Sequence, residues 1–332
     1  MTIFIHEFVT GGGLAGSDLP ASWASEGRAM RRALVDDFAS LEGVSVVMTL
    51  DARLADEPGP AQVIRVGPNE EAKVFERLAS ECDHTLCIAP ETDGILTERA
   101  RMIERVGGRS LGGRPEAIAL FSDKLRTAQY LQELSVETPI SIRVVPCQGL
   151  PRDHPYPAVL KPIDGAGSMD TYFVESPDRL PDAALAMPEA LLQPFVPGRA
   201  MSAAYLVSSE GVPWLVGLAE QDVAILRGRF VYRGGKVPAR VEKALDFPAS
   251  MLKTLRGWVG VDFVWNESLG RAIVLEINPR LTTSYVGWRE VAPARGFLAS
   301  HWLQTTDPSV MKPTFSVRFT ADGHIEREAL DS

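Results

Sequence analysis

Two apolar runs late in the chain constrain its fold most. Val261-Asp262-Phe263-Val264-Trp265 and Ile273-Val274-Leu275-Glu276-Ile277-Asn278 both read as strands. The Ser268-Leu269-Gly270 segment between them suits a three-residue hairpin with glycine in the left-handed position. That register sets Asp262 opposite Glu276 and puts Asn278 on the Glu276 face, about 7 Å along the strand. Leu275 and Ile277 then point toward a core. A solvated strand face is the plainer reading of these acids, but their flanks are apolar, and a carboxylate in such a run needs a partner or a metal. Asp262, Glu276 and Asn278 are hard oxygen donors of the kind Mg²⁺ takes alongside phosphate and water, and one carboxylate can bridge two such ions.

The chain has 332 residues, enough for two or three lobes. The first third alternates strand and helix patterns. Strands are expected at Thr2–Val9, Val44–Leu50 and His84–Ala89, and helices at Ser25–Leu41, Glu70–Ser80 and Leu96–Val106. That alternation predicts a parallel sheet covered by helices. Gly107–Pro115 reads as a junction, followed by a helix over Glu116–Leu134. From Ser141 to Asn278, short β-rich runs between Pro/Gly turns predict an α+β module, with helices around Ser176–Ala186 and Pro248–Val259. The expected domains are 1–115, 116–306 and a tail 307–332.

Composition excludes several classes. The formal charge is -9 with no basic stripe, which argues against nucleic-acid binding. Cys82, Cys87 and Cys147 lack zinc spacing and read as reduced thiols. No run of about 18 apolar residues occurs, so neither a membrane partner nor a leader is expected and a cytoplasmic location is.

Phosphate chemistry has candidates elsewhere. Lys124 follows Asp123 at a helix start. Lys161 ends the run Ala158-Val159-Leu160 and precedes Asp164-Gly165-Ala166-Gly167-Ser168. A glycine loop brings backbone N–H groups to phosphate oxygens, and lysine adds a point charge. Either lysine alone reads more simply as a surface residue; the order of the parts is what informs. Leu191-Leu192-Gln193-Pro194-Phe195-Val196-Pro197-Gly198 reads as a strand entering a connector with apolar walls and free backbone groups.

In that order, Asp123-Lys124, Lys161 with its glycine loop, Gln193–Gly198, Asp262 and Glu276-x-Asn278 resemble the ATP-grasp superfamily over about Glu116–His301. The resemblance implies an α/β plus α+β architecture: a Rossmann-like pre-ATP-grasp lobe followed by a two-part ATP-grasp fold. It implies that Lys124 and Lys161 hold the phosphates of ATP and that the loop with Gly165, Gly167 and Ser168 closes over them. Gln193 and the backbone near Val196 would meet adenine. Asp262, Glu276 and Asn278 would bind two Mg²⁺ ions, for which Mn²⁺ could substitute. Arg280 would face the transferring phosphoryl group or the substrate carboxylate, Lys161 would be catalytic with it, and a homodimer would be usual. One departure stands out: after Gly198 comes Arg199-Ala200-Met201, without the acid that commonly binds ribose. Glu220 or Asp222 are the alternatives.

A narrower likeness, in Ala89-Pro90-Glu91-Thr92-Asp93-Gly94 and Glu276–Tyr285, resembles ligases of methanofuran-type coenzyme synthesis that join glutamate to tyramine. The implied activity is amide formation from a small carboxylate and an amine (tyramine, tyrosine or a similar one), through an acyl phosphate. Glu7, the Gly11–Gly13 turn and Glu91 lie at expected strand ends, where open α/β sheets collect ligands. Glu7, Glu91 and Ser284 are candidate substrate contacts. The rivals are a non-catalytic ATP-binding regulator on the same fold and a dinucleotide-dependent oxidoreductase. The latter rests on Gly11-Gly12-Gly13-Leu14-Ala15-Gly16, a literal GxGxxG whose helix is delayed by Pro20. A nucleophilic hydrolase lacks its Gly-x-Ser-x-Gly elbow.

Overall fold

The structure is a computed structural model, and it describes residues 1–55, 59–165, 168–243, 245, 247–304 and 311–330. The first lobe runs β1 (Thr2–Glu7), α1 (Ala21–Ala39), β2 (Ser45–Asp51), β3 (Gln62–Val66), α2 (Glu71–Glu81), β4 (His84–Ile88) and α3 (Ile95–Arg105). Its four strands are parallel in the order β3-β2-β1-β4. The alternation foresaw three of them. β3, in Gln62-Val63-Ile64-Arg65-Val66, is an edge strand that is mostly half-exposed and carries a weak apolar signal.

The expected helix over Glu116–Leu134 is two helices, α4 (Pro115–Ser122) and α5 (Lys124–Glu133). Asp123 leaves helical geometry and its side chain caps α5 by accepting from the Arg126 N–H at 2.9 Å. Then come β5 (Ile142–Val144), β6 (Ala158–Lys161), β7 (Tyr172–Val174), α6 (Asp182–Leu185) and β8 (Ala190–Pro194). The longer strands follow: β9 (Arg199–Val207), β10 (Pro213–Leu226), β11 (Arg229–Val237), β12 (Gly257–Asn266) and β13 (Arg271–Asn278). The chain closes with α7 (Ser284–Val291), α8 (Phe297–Gln304), β14 (Ser316–Thr320) and β15 (Ile325–Glu328). Two expected helices shrink: around Ser176–Ala186 only the four-residue α6 forms, and Pro248–Val259 holds a 3₁₀ turn at Ala249–Met251 before β12 begins. Trp258 and Val259 are buried in that strand, where period alone does not separate a buried strand from a buried helix.

The larger sheet runs β13-β12-β9-β10-β11-β7-β6-β8-β5, with β14 on β11 and β15 on β14. It has two parts. β5 to β8 enclose their own core of Ala158, Leu160, Tyr172, Val174 and Leu192. They join the long strands through the single ladder pair Arg229↔Tyr172, flanked by backbone bonds Phe173 N–H to Gly228 O and Phe230 N–H to Thr171 O. The tail belongs to the larger part, since β14 pairs with Gly234–Val237. The first lobe is not a separate body either: one core contains Ile3, Leu34 and Phe38 together with Trp258, Tyr285, Trp288, Trp302 and Phe319. Each such fully buried side chain contributes roughly 1.5–3 kcal/mol.

Candidate active site

The β12–β13 hairpin places Asp262 opposite Glu276, as the sequence implied, by a different route. The loop is Glu267–Gly270, one residue longer than expected, and pairing begins at Asn266↔Arg271. A bulge between Asp262 and Phe263 then shifts the register back by one. The Asn266 side chain accepts from the Leu269 N–H at 2.9 Å, and Gly270 has a φ of 59°. The bulge also corrects the facing: Val274 and Ile277 enter the core, whereas Leu275 does not.

Both lysines converge on this hairpin. Lys124 Nζ lies 3.6 Å and Lys161 Nζ 3.8 Å from Glu276 Oε2. Local structure explains the convergence. Lys124 opens α5 and its N–H donates to Ile163 O at 2.9 Å, which ties the helix start to the segment after β6. Its ammonium also donates to Gly165 O at 2.7 Å. Asn278 Nδ2 and Gln221 Nε2 each donate to the Asp262 carboxylate at 2.9 Å. Arg280 Nε donates to Glu91 Oε1 at 2.8 Å, linking the strand end to the first lobe.

The electrostatics are those of an incomplete cluster. Burial and the facing Glu276 raise the pKa of Asp262. Burial pushes Glu276 the same way, but Lys124 and Lys161 outweigh it and hold Glu276 below its ordinary value. Burial pulls Lys161 down to about 8, with Glu276 opposing and Lys124 adding. Two carboxylates and a carboxamide at the end of a rigid hairpin, one acid destabilised by the other, suit a hard cation. Among the described residues no group of three or more His, Cys, Asp or Glu could hold a metal.

The other sequence candidates fall in several places. Ser168 Oγ accepts from the Tyr232 N–H at 3.0 Å, so Ser168 lies against β11. Asp164 accepts from the Asp93 N–H at 2.9 Å, bringing that loop to the first lobe. Gly167 lies outside the described residues. Gln193 shares a sheet face with Lys161, since Val159↔Gln193 and Lys161↔Leu191 pair, and its amide donates to Ser141 Oγ at 2.7 Å. Val196 is half-buried in the connector. That connector needs glycine at Gly198, where φ is 147° and a Cβ would sit 2.4 Å from Trp265 O. Glu7 is buried, and its carboxylate accepts from the Val9 N–H, the Thr10 N–H and the Thr10 hydroxyl at 2.5–3.0 Å, so its partners are its own loop. Ser284 is buried and shares a 3.0 Å hydrogen bond with Thr282. The glycine run forms a one-turn π-helix at Val9–Gly13, where a Cβ on Gly12 would collide with Val66. α1 opens only at Ala21, after Pro20, so the run does not place a helix N-terminus over a pyrophosphate.

Sequence reasoning missed Gln221, Tyr232, Thr283 and Glu26. Tyr232 is half-buried, hydrogen-bonds Thr283 and sits in the field of Glu26, Asp262 and Asp222. Thr283 donates to Glu26 Oε1, from α1. No motif carries these contacts, because they join segments 257 residues apart or lie within ordinary strands.

Comparison with known proteins agrees with this geometry. A family model described as an ATP-grasp domain matches residues 121–284, and one described as a pre ATP-grasp 3 domain matches residues 44–118. A tyramine–L-glutamate ligase of Methanocaldococcus fervens is 25% identical over 268 residues, 79% of this chain and 82% of the relative. A D-alanine–D-alanine ligase of Fusobacterium nucleatum is 24% identical over 187 residues, 53% of this chain and 62% of the relative. A solved ATP-grasp superfamily protein from Archaeoglobus fulgidus superposes with a TM-score of 0.70 at 23% identity, covering 100% of both chains. With both domain models in sequence, and Lys124, Lys161, Asp262, Glu276 and Asn278 gathered at one hairpin, the chain belongs to the ATP-grasp superfamily.

Proposed function

We propose that the protein is an ATP-dependent carboxylate–amine ligase, forming an amide and releasing ADP and phosphate. The observation that carries this reading is the approach of both Lys124 and Lys161 to Glu276 within 3.8 Å. Two ammonium groups beside a hard-oxygen hairpin suit a polyphosphate and its cation, and phosphoryl transfer asks a protein mainly for positioning and charge neutralisation.

Lys124 and Lys161 bind the phosphates of ATP, and the loop at Gly165–Ser168 covers them. Asp262, Glu276 and Asn278 would hold the Mg²⁺ ions, two in number, with Mn²⁺ able to replace them. When bound, the ions neutralise developing charge on the phosphoryl oxygens. Arg280, held by Glu91, faces the transferring group. The substrate carboxylate takes the γ-phosphoryl group, giving an acyl phosphate. The amine attacks its carbonyl carbon, the C–N bond forms, and phosphate leaves with the C–O bond pair. The contacts of the glycine loop with Tyr232 and Asp93 support a closed site, which protects the acyl phosphate from water. Gln193 and Val196 form part of the adenine wall.

The substrates we favour are glutamate and tyramine or a related phenolic amine, by likeness to the Methanocaldococcus relative, in a cytoplasmic and dimeric enzyme. The test is ADP release with glutamate and other acids against tyramine, tyrosine and amino acids. Glutamate with a phenolic amine should give the amide; a different productive pair would overturn the substrate choice, and no productive pair with ATP bound would favour a regulator.

A further inference from the structure

α1 carries Trp23 and Glu26 three residues apart, a spacing that puts both on one helix face. The Trp23 indole N–H donates to Met169 Sδ at 3.1 Å, so this face meets the glycine loop. Glu26 accepts from Thr283, which also bonds the half-buried Tyr232, and Tyr232 in turn donates its backbone N–H to Ser168. The first turns of α1 therefore stand against the phosphate loop and the end of β13.

Charge there is unbalanced. Arg280 lies in the fields of three carboxylates, Glu91, Glu26 and Glu276. Lys124 and Lys161 are spent on Glu276. Glu26 is met by the neutral Thr283 hydroxyl. Glu91 is 3% exposed; one oxygen takes Arg280, and Oε2 is buried with no hydrogen-bond partner. A buried carboxylate oxygen without a donor is unfavourable until a donor arrives.

We propose that Glu26 and Glu91 form a subsite for a substrate ammonium group, walled by the Trp23 indole. An ammonium supplies the N–H donor that Glu91 Oε2 lacks and adds a positive charge where Glu91 and Glu26 share Arg280, and the indole offers its face to that cation or to an attached ring. This inference rests on the ligase reading. The ammonium belongs either to the amine substrate or to an amino-acid carboxylate donor. A purely structural Glu26–Thr283 strut between lobes is the competing account.

Full-length wild type, Glu26→Gln and Glu26→Asp separate these. Glutamine keeps an acceptor for Thr283 and removes the charge. Hydroxylamine trapping with ATP, Mg²⁺ and glutamate reads acyl-phosphate formation without the amine, and amide formation with tyramine reads the whole reaction. Expected for Glu26→Gln is a KM increase of about 30-fold or more for the ammonium-bearing substrate, with KM for ATP and the melting temperature unchanged. Glu26→Asp should recover part of it. An increase confined to tyramine assigns the subsite to the amine; an increase for glutamate, also seen with hydroxylamine, assigns it to the donor. Unchanged KM values for both overturn the subsite, as does a fall in melting temperature with no KM change. If wild type forms neither hydroxamate nor ADP with any pair, the ligase reading falls. The subsite is then decided by melting shifts with tyramine or glutamate alone: a shift lost in Glu26→Gln supports it, and an equal shift or none overturns it. Glu91→Gln repeats the test should Glu26→Gln fail to fold.

Discussion

Two buried ionic clusters in this protein are built on opposite principles. In the first lobe, Glu71 accepts from Arg99 Nε at 2.9 Å and Arg99 Nη2 at 2.6 Å, and lies 3.1 Å from His6 Nε2. His6 Nδ1 shares a 2.7 Å hydrogen bond with Thr49, and Arg99 lies 5.0 Å over the Phe8 ring. Burial works against the Glu71 charge, yet His6 and Arg99 prevail and hold its pKa at about 2. At the hairpin, Asp262 instead faces Glu276 and is pushed the other way. One cluster sets its carboxylate against an arginine and a histidine of the same chain, which favour its charge. The other leaves like charges opposed, which is how functional sites commonly depart from stability.

The comparison can be broken by substitution. The largest expected effect is Glu276→Ala, which should lower ADP-forming turnover by about 10³-fold or more while circular dichroism and melting temperature stay near wild type. An active variant would remove the hairpin from the site. Next is Glu71→Gln, expected to cost on the order of 3 kcal/mol in denaturant unfolding, about 2.5 pKa units at 1.36 kcal/mol each, with KM for ATP unchanged. The sign follows from a folded pKa depressed below the ordinary 4.5: the stabilisation is present above about pH 4.5 and is lost as pH falls toward 2. Glu71→Gln should therefore flatten wild type's stability loss across that window, and an unchanged slope would count against the pairing. Lys161→Met should reduce kcat/KM for ATP by about 10²-fold, the range expected for one electrostatic donor. The smallest effect, read on stability, has the opposite sign: Asp262→Asn should raise the stability of the ligand-free chain by about 1 kcal/mol. A destabilised Asp262→Asn variant would show that the two clusters do not differ as described.

Legibility in the sequence followed the length of the physical interaction. The parallel lobe was readable from its alternating patterns, except for edge strand β3. The hairpin register was readable, although the bulge at Asp262 and the longer loop compensated each other, and Leu275 was assigned to the wrong side. Pro248–Val259 was misread as a helix because β12 is buried on both faces and shows no alternation. Lys124 and Lys161 were found by their order in the chain, with nothing to say how close they come to Glu276.

By itself the sequence determined the local chemistry: which strands carry oxygen donors and where glycine is required. Those are effects of near neighbours and backbone geometry. Only the tertiary structure decided that Glu91 reaches Arg280, that Thr283 meets Glu26 and Tyr232, and that one core runs through both lobes. Such contacts are set by packing between segments far apart in the chain, and packing leaves no periodic trace in either segment.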